Sequence, residues 1–327
     1  MKIGQQVKAY IKNISIKNLF ERKNIYWNLQ DINVLVGKNG AGKSTILNII
    51  KEMSHKDGAE NISKASSSKI TFTDNSFIES KEEIIKQSDL EHFISLIKEG
   101  LSKEQKINQI EKIESLRNFL SQKNSDKKNH IITAKIGGVK FHKGKILSKI
   151  SDIKTQYVST INMNANSINE IKGSDGVTKT ILDMEIQKEI LIFNGYKTDE
   201  RYISVESRLS KAINSFFKEC GKSIEIKEDI SIKKSRSSKI ALRDLSSGER
   251  QVIYIFLKVA NSFFDGSIIL MDEPEISLHL SWQEKLISEI RYVNPESQII
   301  IVTHSPAIVM NGWMDKFIDI SDIEVKE

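Results

Sequence analysis

The sequence predicts an α/β protein whose sheet core is built around a phosphate-binding loop. Three observations lead there. INVLVG, residues 32–37, is a compact apolar run ending in glycine, as a buried central strand does. Gly37-Lys-Asn-Gly-Ala-Gly42-Lys43-Ser44 follows at once, with an apolar-periodic stretch behind it. Towards the C-terminus, short apolar runs alternate with helical patterns, strand and helix in turn.

The elements follow in order. VKAYIKNISIKNLF alternates apolar and other residues, the pattern of one half-buried strand or two short ones. From Lys43 to Met53 a helix places Ile46, Leu47, Ile49 and Ile50 towards the sheet. SKASSSK is a polar connection before a short strand, KITFT. Residues 81–123 are charged, free of Pro, and carry Ile107, Ile110, Ile113, Leu116 and Leu120 at helical spacings, enough for a short helical hairpin. Strands resume through IITAKIGGVKFHKG, where Gly-Gly marks a hairpin turn. Residues 178–220 are largely helical, and IEIKEDISIKK and SKIAL are short strands leading into the next motif. No internal repeat interrupts this order.

A chain of 327 residues can bury one large core or two modest ones. With 39% apolar and 28% charged residues it has the composition of a soluble globular protein. No apolar run is long enough to cross a bilayer, and MKIGQQVKAYIKN lacks the apolar segment of a secretory signal. The single cysteine, Cys220, excludes an internal disulfide and a multi-cysteine metal site. A cytoplasmic protein with no membrane partner is the expectation. The net charge is +6, and it is regional: residues 103–154 hold 13 Lys plus Arg against 5 Asp plus Glu, a balance of +8. A second run, Lys233, Lys234, Arg236, Lys239 and Arg243, contains no acid. Nucleic acid is one partner such a surface suits, although lysine-rich surfaces are usually only solvated.

Three motifs carry chemistry. In the glycine loop, the backbone of Asn39, Gly40, Ala41, Gly42 and Thr45 can wrap phosphates, with a helix start facing the negative charge. Lys43 supplies a point charge to the β- and γ-phosphates of ATP, and Ser44 offers a hydroxyl to Mg²⁺. The run Ile268-Ile-Leu-Met-Asp272-Glu273 delivers two acids at the end of a buried strand. Asp272 would hold Mg²⁺ and Glu273 would orient or deprotonate the attacking water. Leu245-Ser246-Ser247-Gly248-Glu249-Arg250-Gln251 opens an apolar helix and makes a second anion site without a lysine. An isolated Ser-Ser-Gly is more often a plain helix cap; the order of the three motifs favours the anion site.

LSSGERQ resembles the signature motif of ABC-type ATPases, IILMDEPE their Walker B strand, and IIIVTHSP their switch-histidine strand. The resemblance implies that Ser246, Ser247 and Gly248 meet the γ-phosphate held by a second, head-to-tail copy, and that His304 reaches it from its own strand. Gln156, in KTQYVST, takes the place of the Q-loop glutamine that reports on Mg²⁺ and the attacking water. Within that group the chain is similar to the OLD-like and SMC-like ATPases of DNA repair and anti-phage defence. Its opening strands lead directly to the phosphate loop, its interval to the signature is long, and DEPEISLHLSWQ resembles their D-E-P-E-x-x-L-H-P-x-x-Q run. Leu280 stands where proline is usual and Ser277 where histidine is common, which makes His279 a surface or packing residue. Related ATPases place a base-stacking residue upstream of the loop, where Phe20, Tyr26 and Trp27 lie, although aromatics there are more often core or edge packing.

The implied architecture is an ABC-type fold with a phosphate-loop sheet core, a helical signature lobe and a helical/β insertion. Its parts are an ATPase lobe over 1–75, a helical insertion over 76–129, strands returning to the lobe over 130–170, a helical lobe over 171–250, and the closing ATPase lobe over 251–327. Only about twenty residues follow His304, without an appended nuclease domain, so a separate effector protein is expected. A RecF-like repair ATPase and a transporter's ATP-binding subunit are the alternative readings.

Overall fold

The computed structural model describes residues 10–54, 60–83, 129–136, 139–142, 155–159, 171–172, 178–227, 229–234, 238–266 and 268–326. A parallel sheet of five strands forms the centre, in the order Phe317–Asp319, Ile32–Val36, Gln298–Val302, Ile268–Asp272, Thr155–Ser159. The middle three are buried at every position, as strands covered on both faces must be. Their side chains alternate between two cores. Val34, Ile269, Met271, Ile299 and Ile301 enter one; Leu35, Ile268, Leu270, Ile300 and Val302 enter the other.

Helix α1 (Lys43–Ser54) covers the second face. Its Ile46, Leu47, Ile49, Ile50 and Met53 are all buried, because an antiparallel sheet of seven strands closes over α1 from the other side. That sheet runs Glu324–Val325, Lys23–Asn28, Ile11–Leu19, Ser67–Phe72, Phe77–Glu83, Asn129–Ile136, Val139–His142. Buried Gln298 joins the two sheets. Its side-chain oxygen accepts from Ile11 N, and its amide donates to Ile11 O and Gln30 O, each at 2.8 Å.

The first face carries helices α2 (Ile181–Asn194), α3 (Tyr202–Phe217), α4 (Ser247–Asp265) and α5 (Leu280–Val293), with a small sheet of Lys222–Ile226, Ile230–Lys234 and Ser238–Ile240. Packed by α2, α3 and the central sheet, α4 is buried nearly all round, its polar residues included. Three of its charges are paired: Arg250 with Asp183 at 3.2 Å, Lys258 with Glu189 at 2.7 Å, and Glu249 with Lys222 at 2.7 Å. Removing one partner of such a pair leaves an uncompensated buried charge and costs about 3–5 kcal/mol.

The strand Phe77–Glu83 pairs with Ser67–Phe72 and Asn129–Ile136, so the first lobe continues past residue 75. Of the helical stretch expected over 81–123, residues 81–83 are strand instead, because they pair with Asn129–Ile131, and the rest lies outside the described residues, as do most of the lysines of 103–154. Among the described residues no helix is long and apolar enough to cross a membrane.

Candidate functional site

The site lies where the central strands end. Leu35 pairs with Val302, Val302 with Asp272, and Asp272 with Ser159. The phosphate loop, the acidic pair and the histidine segment therefore leave the sheet along one edge, where open α/β sheets bind ligands.

Glycine is required in the loop. Gly42 has φ 105°, and a Cβ there would come 3.1 Å from Phe20 Cε2. Asn39 and Gly40 are exposed, while Ala41, Gly42, Ser44 and Thr45 are half-buried, which leaves the loop backbone accessible at the start of α1. Lys43 is buried; its Nζ donates to Gly37 O at 2.9 Å and Lys38 O at 3.3 Å, and lies 2.8 Å from His304 Nε2. Burial lowers the Lys43 pKa against the pull of Glu273, Asp272 and Glu275.

Ser44 Oγ donates to Asp272 Oδ1 at 2.9 Å, and Tyr157 OH donates to Asp272 Oδ2 at 3.3 Å. Burial pushes the Asp272 carboxyl up, while those two hydrogen bonds pull it back. A hydroxyl and a carboxylate meeting at one point are hard oxygen donors, the set Mg²⁺ takes beside phosphates, so Ser44 and Asp272 fit that ion. The tyrosine stays a donor, since burial and the nearby Asp272 raise its pKa.

Glu273 has φ 50°, a value rarely adopted by residues with a side chain, and its N–H donates to Val302 O at 2.8 Å. Its Oε2 accepts from His304 N at 3.2 Å, and its Oε1 lies 3.2 Å from His304 Nε2. Burial pushes the Glu273 pKa up to about 8, helped by the carboxyl of Glu275 beside it. His304 moves the other way: burial and the Lys43 charge hold the imidazole below its usual range. Both shifts favour the neutral forms, a protonated carboxyl beside a neutral ring, over an ion pair.

Ser246 caps α4. Its Oγ accepts from Glu249 N at 3.3 Å, and the Glu249 carboxylate accepts from Ser246 N at 2.8 Å, a capping box. Ser246 is exposed and Ser247 half-buried, but Gly248 is buried against the turn that follows Glu273. A Cβ on Gly248 would lie 2.5 Å from Ser277 O. Gln251 Nε2 donates to Pro274 O at 2.8 Å, which fastens the helix start to the same turn.

Gln156 is not brought to this cluster. It pairs with Ile269, three positions before the Ser159–Asp272 pair at the edge, roughly 10 Å back at the rise of a strand. The pleat turns it with Val158 towards the helical lobe, while Tyr157 shares the α1 face with Asp272. The expected roles of Gln156 in metal binding and catalysis are corrected on that ground. Of the three aromatics, Trp27 is core packing and not a base-stacking candidate, because it is 2% exposed and packs beneath the antiparallel sheet. Phe20 lies against Gly42 and is 38% exposed; Tyr26 is exposed on the strand Lys23–Asn28. His279 precedes α5 at the surface, with Nδ1 3.1 Å from Ser281 Oγ.

Two site residues were missed by sequence reasoning. Tyr157 could be found only from the strand register. Glu275, the second acid of DEPE, accepts through Oε1 from His304 N at 3.1 Å, Ser305 N at 3.3 Å and the Thr303 hydroxyl.

The Retron Vc95 probable ATPase of Vibrio cholerae serotype O1 biovar El Tor is 22% identical over 393 residues, spanning 99% of this chain and 76% of that protein. Septu protein PtuA of Bacillus thuringiensis is 38% identical over 87 residues, 23% of this chain and 22% of PtuA. An Smc head bound to the C-winged helix domain of ScpA superposes with a TM-score of 0.54 at 14% identity, over 92% of each chain. An Smc head with an extended coiled coil, bound to the C-terminal domain of ScpA derived from Pyrococcus furiosus, gives 0.50 at 13%, over 93% of this chain and 92% of that one. At such identities the structures show the fold alone, and that fold is an SMC-head ATPase core. Residues 32–311, most of the chain, match one family model, and the chain belongs to that family, described as "AAA domain, putative AbiEii toxin, Type IV TA system".

Proposed function

We propose that this protein hydrolyses ATP with Mg²⁺, as the ATPase of an anti-phage defence system that governs a separate effector protein, and that two head-to-tail copies share each site. The observation that carries the reading is the meeting of Lys43, Ser44, Asp272, Glu273 and His304 at one sheet edge. Likeness to the Retron Vc95 probable ATPase along 99% of the chain supports the defence setting, and the shorter match to PtuA adds to it.

The loop amides and Lys43 hold the phosphates, and Phe20 offers a ring beside the loop for the base. Ser44 and Asp272 hold Mg²⁺, which when bound neutralises charge on the phosphates. Glu273, once deprotonated, takes a proton from the attacking water, and His304 contacts the γ-phosphate. Ser246 and Gly248 present a helix start to the nucleotide of the second copy.

Binding and hydrolysis separate these roles. Lys43→Ala abolishes nucleotide binding, because the phosphates lose the buried cation at the start of α1. Glu273→Gln binds normally and turns over roughly 10²-fold or more slowly, the scale of a lost general base. Normal turnover by Glu273→Gln would remove Glu273 as the base.

A further inference from the structure

We propose that Glu275 is a positioning residue for His304, holding the segment Thr303–Ser305 through a single carboxylate oxygen. The inference rests on the reading of His304 as a phosphate-facing group.

Thr303 N donates to Leu35 O at 3.1 Å and so still belongs to the sheet. The next two N–H groups leave it. His304 N and Ser305 N both donate to Glu275 Oε1, at 3.1 and 3.3 Å, and the Thr303 hydroxyl donates to the same oxygen. Two successive amides on one acceptor fix the direction in which the chain departs, and with it the base of the His304 side chain. Thr303 Oγ1 also accepts from Ser305 N at 2.9 Å, which tightens the bend. From the far side, Ser305 Oγ donates to Gln283 Oε1 at 2.6 Å, and Gln283 Nε2 donates to Leu278 O at 2.9 Å. The histidine segment is thus tied to the turn behind Glu273. The ring at its centre is left to reach Lys43 Nζ at 2.8 Å and Glu273 Oε1 at 3.2 Å.

Glu275 is 7% exposed, and its carboxyl lies beside that of Glu273, whose pKa it helps to raise. Two buried acids side by side are unfavourable for folding. What the Glu275 carboxyl does there is gather three donors on Oε1, and a glutamine oxygen could receive the same three.

The test uses the full chain, with Glu275→Ala, Glu275→Gln and Thr303→Val each made in the parent and in a His304→Ala background. ATP hydrolysis at saturating Mg²⁺ and ATP is measured beside the affinity for a fluorescent ATP analogue. Glu275→Ala should lower kcat by about 10- to 100-fold, the scale of a misplaced group, with affinity unchanged. Thr303→Val should fall part of the way, and Glu275→Gln should keep most of the rate. In the His304→Ala background neither Glu275→Ala nor Thr303→Val should lower the rate further, since residues acting through one another are not additive. Equal losses in both backgrounds, or a Glu275→Gln as slow as Glu275→Ala, would overturn the proposal while leaving His304 in place. Parent-like hydrolysis by His304→Ala would instead overturn the reading beneath it, and the proposal with it. If Glu275→Ala does not fold, Thr303→Val carries the same comparison.

Discussion

Ser44 Oγ donates to Asp272 Oδ1 at 2.9 Å across 228 residues of sequence, so the start of α1 and the end of the acidic strand meet at one point. Tyr157 holds the other carboxylate oxygen, at 3.3 Å. It acts on a metal ion only through Asp272. Tyr157→Phe keeps the ring beneath Lys51 Nζ, 4.3 Å from its centroid, and removes the hydroxyl alone. The Mg²⁺ concentration for half-maximal hydrolysis should rise roughly tenfold, the lower end for a partner one step outside the metal. A Mg²⁺ titration of hydrolysis that superposes on the parent's would show that Tyr157 does not tune the ion.

Glu273 has a raised pKa, about 8, so the folded chain keeps a proton that the unfolded chain loses near 4.5. Between those values the folded state binds more protons, and its stability falls as pH rises. The contribution is fully present below the unfolded pKa and is lost as pH climbs through about 8. Glutamine imitates the protonated acid at every pH. The melting temperature of Glu273→Gln should therefore gain on the parent's steadily from pH 5 to pH 8, and a constant difference across that range would contradict the raised pKa.

The strands at the site are legible because INVLV, IILMD and QIIIV are short, mostly apolar runs, as strands buried on both faces tend to be. Their order in the sheet is not, since parallel neighbours are joined through long crossovers. That is why position in the sequence favours Gln156 while the fold brings Tyr157 to Asp272: the strand is readable, but its partner Ile268–Asp272 lies over a hundred residues away. The choice among the upstream aromatics is hidden for a related reason. Upstream aromatics are candidates by position, and only the pleat decides that Tyr26 is exposed and Trp27 buried. Glu275 was passed over because its partners, Thr303 to Ser305, come from a different strand end.

Gly248 bears on how the two lobes are joined. Alanine is ordinarily the better helix former, by about 1 kcal/mol. Here its Cβ would lie 2.5 Å from the Ser277 carbonyl oxygen, a backbone atom that can yield only by moving the turn behind Glu273. Gly248→Ala should destabilise the fold by about 1–3 kcal/mol, the range of overpacked sites. Denaturant unfolding measures this, and a variant as stable as the parent would mean that the turn shifts freely.

The last prediction concerns the sharing of each site between copies. Lys43 stands on the sheet core and Ser246 at the head of α4 on the helical lobe. Within one chain, Gly248 packs on its own Ser277 turn while Ser246 is exposed. An exposed, capped helix start suits an anion brought by another molecule, and a second copy brings one on its own phosphate loop. Chains carrying Lys43→Ala and chains carrying Ser246→Arg should each be inactive alone. In a mixed pair, the intact loop of the Ser246→Arg chain faces the intact helix start of the Lys43→Ala chain, while the other site is doubly disabled. An equal mixture forms mixed pairs about half the time, each with one working site of two, so roughly a quarter of parent activity should return. If each chain instead completes its own site, no pairing joins an intact loop to an intact helix start. Mixed pairs confirmed by mass, yet inactive, would rule out the shared arrangement.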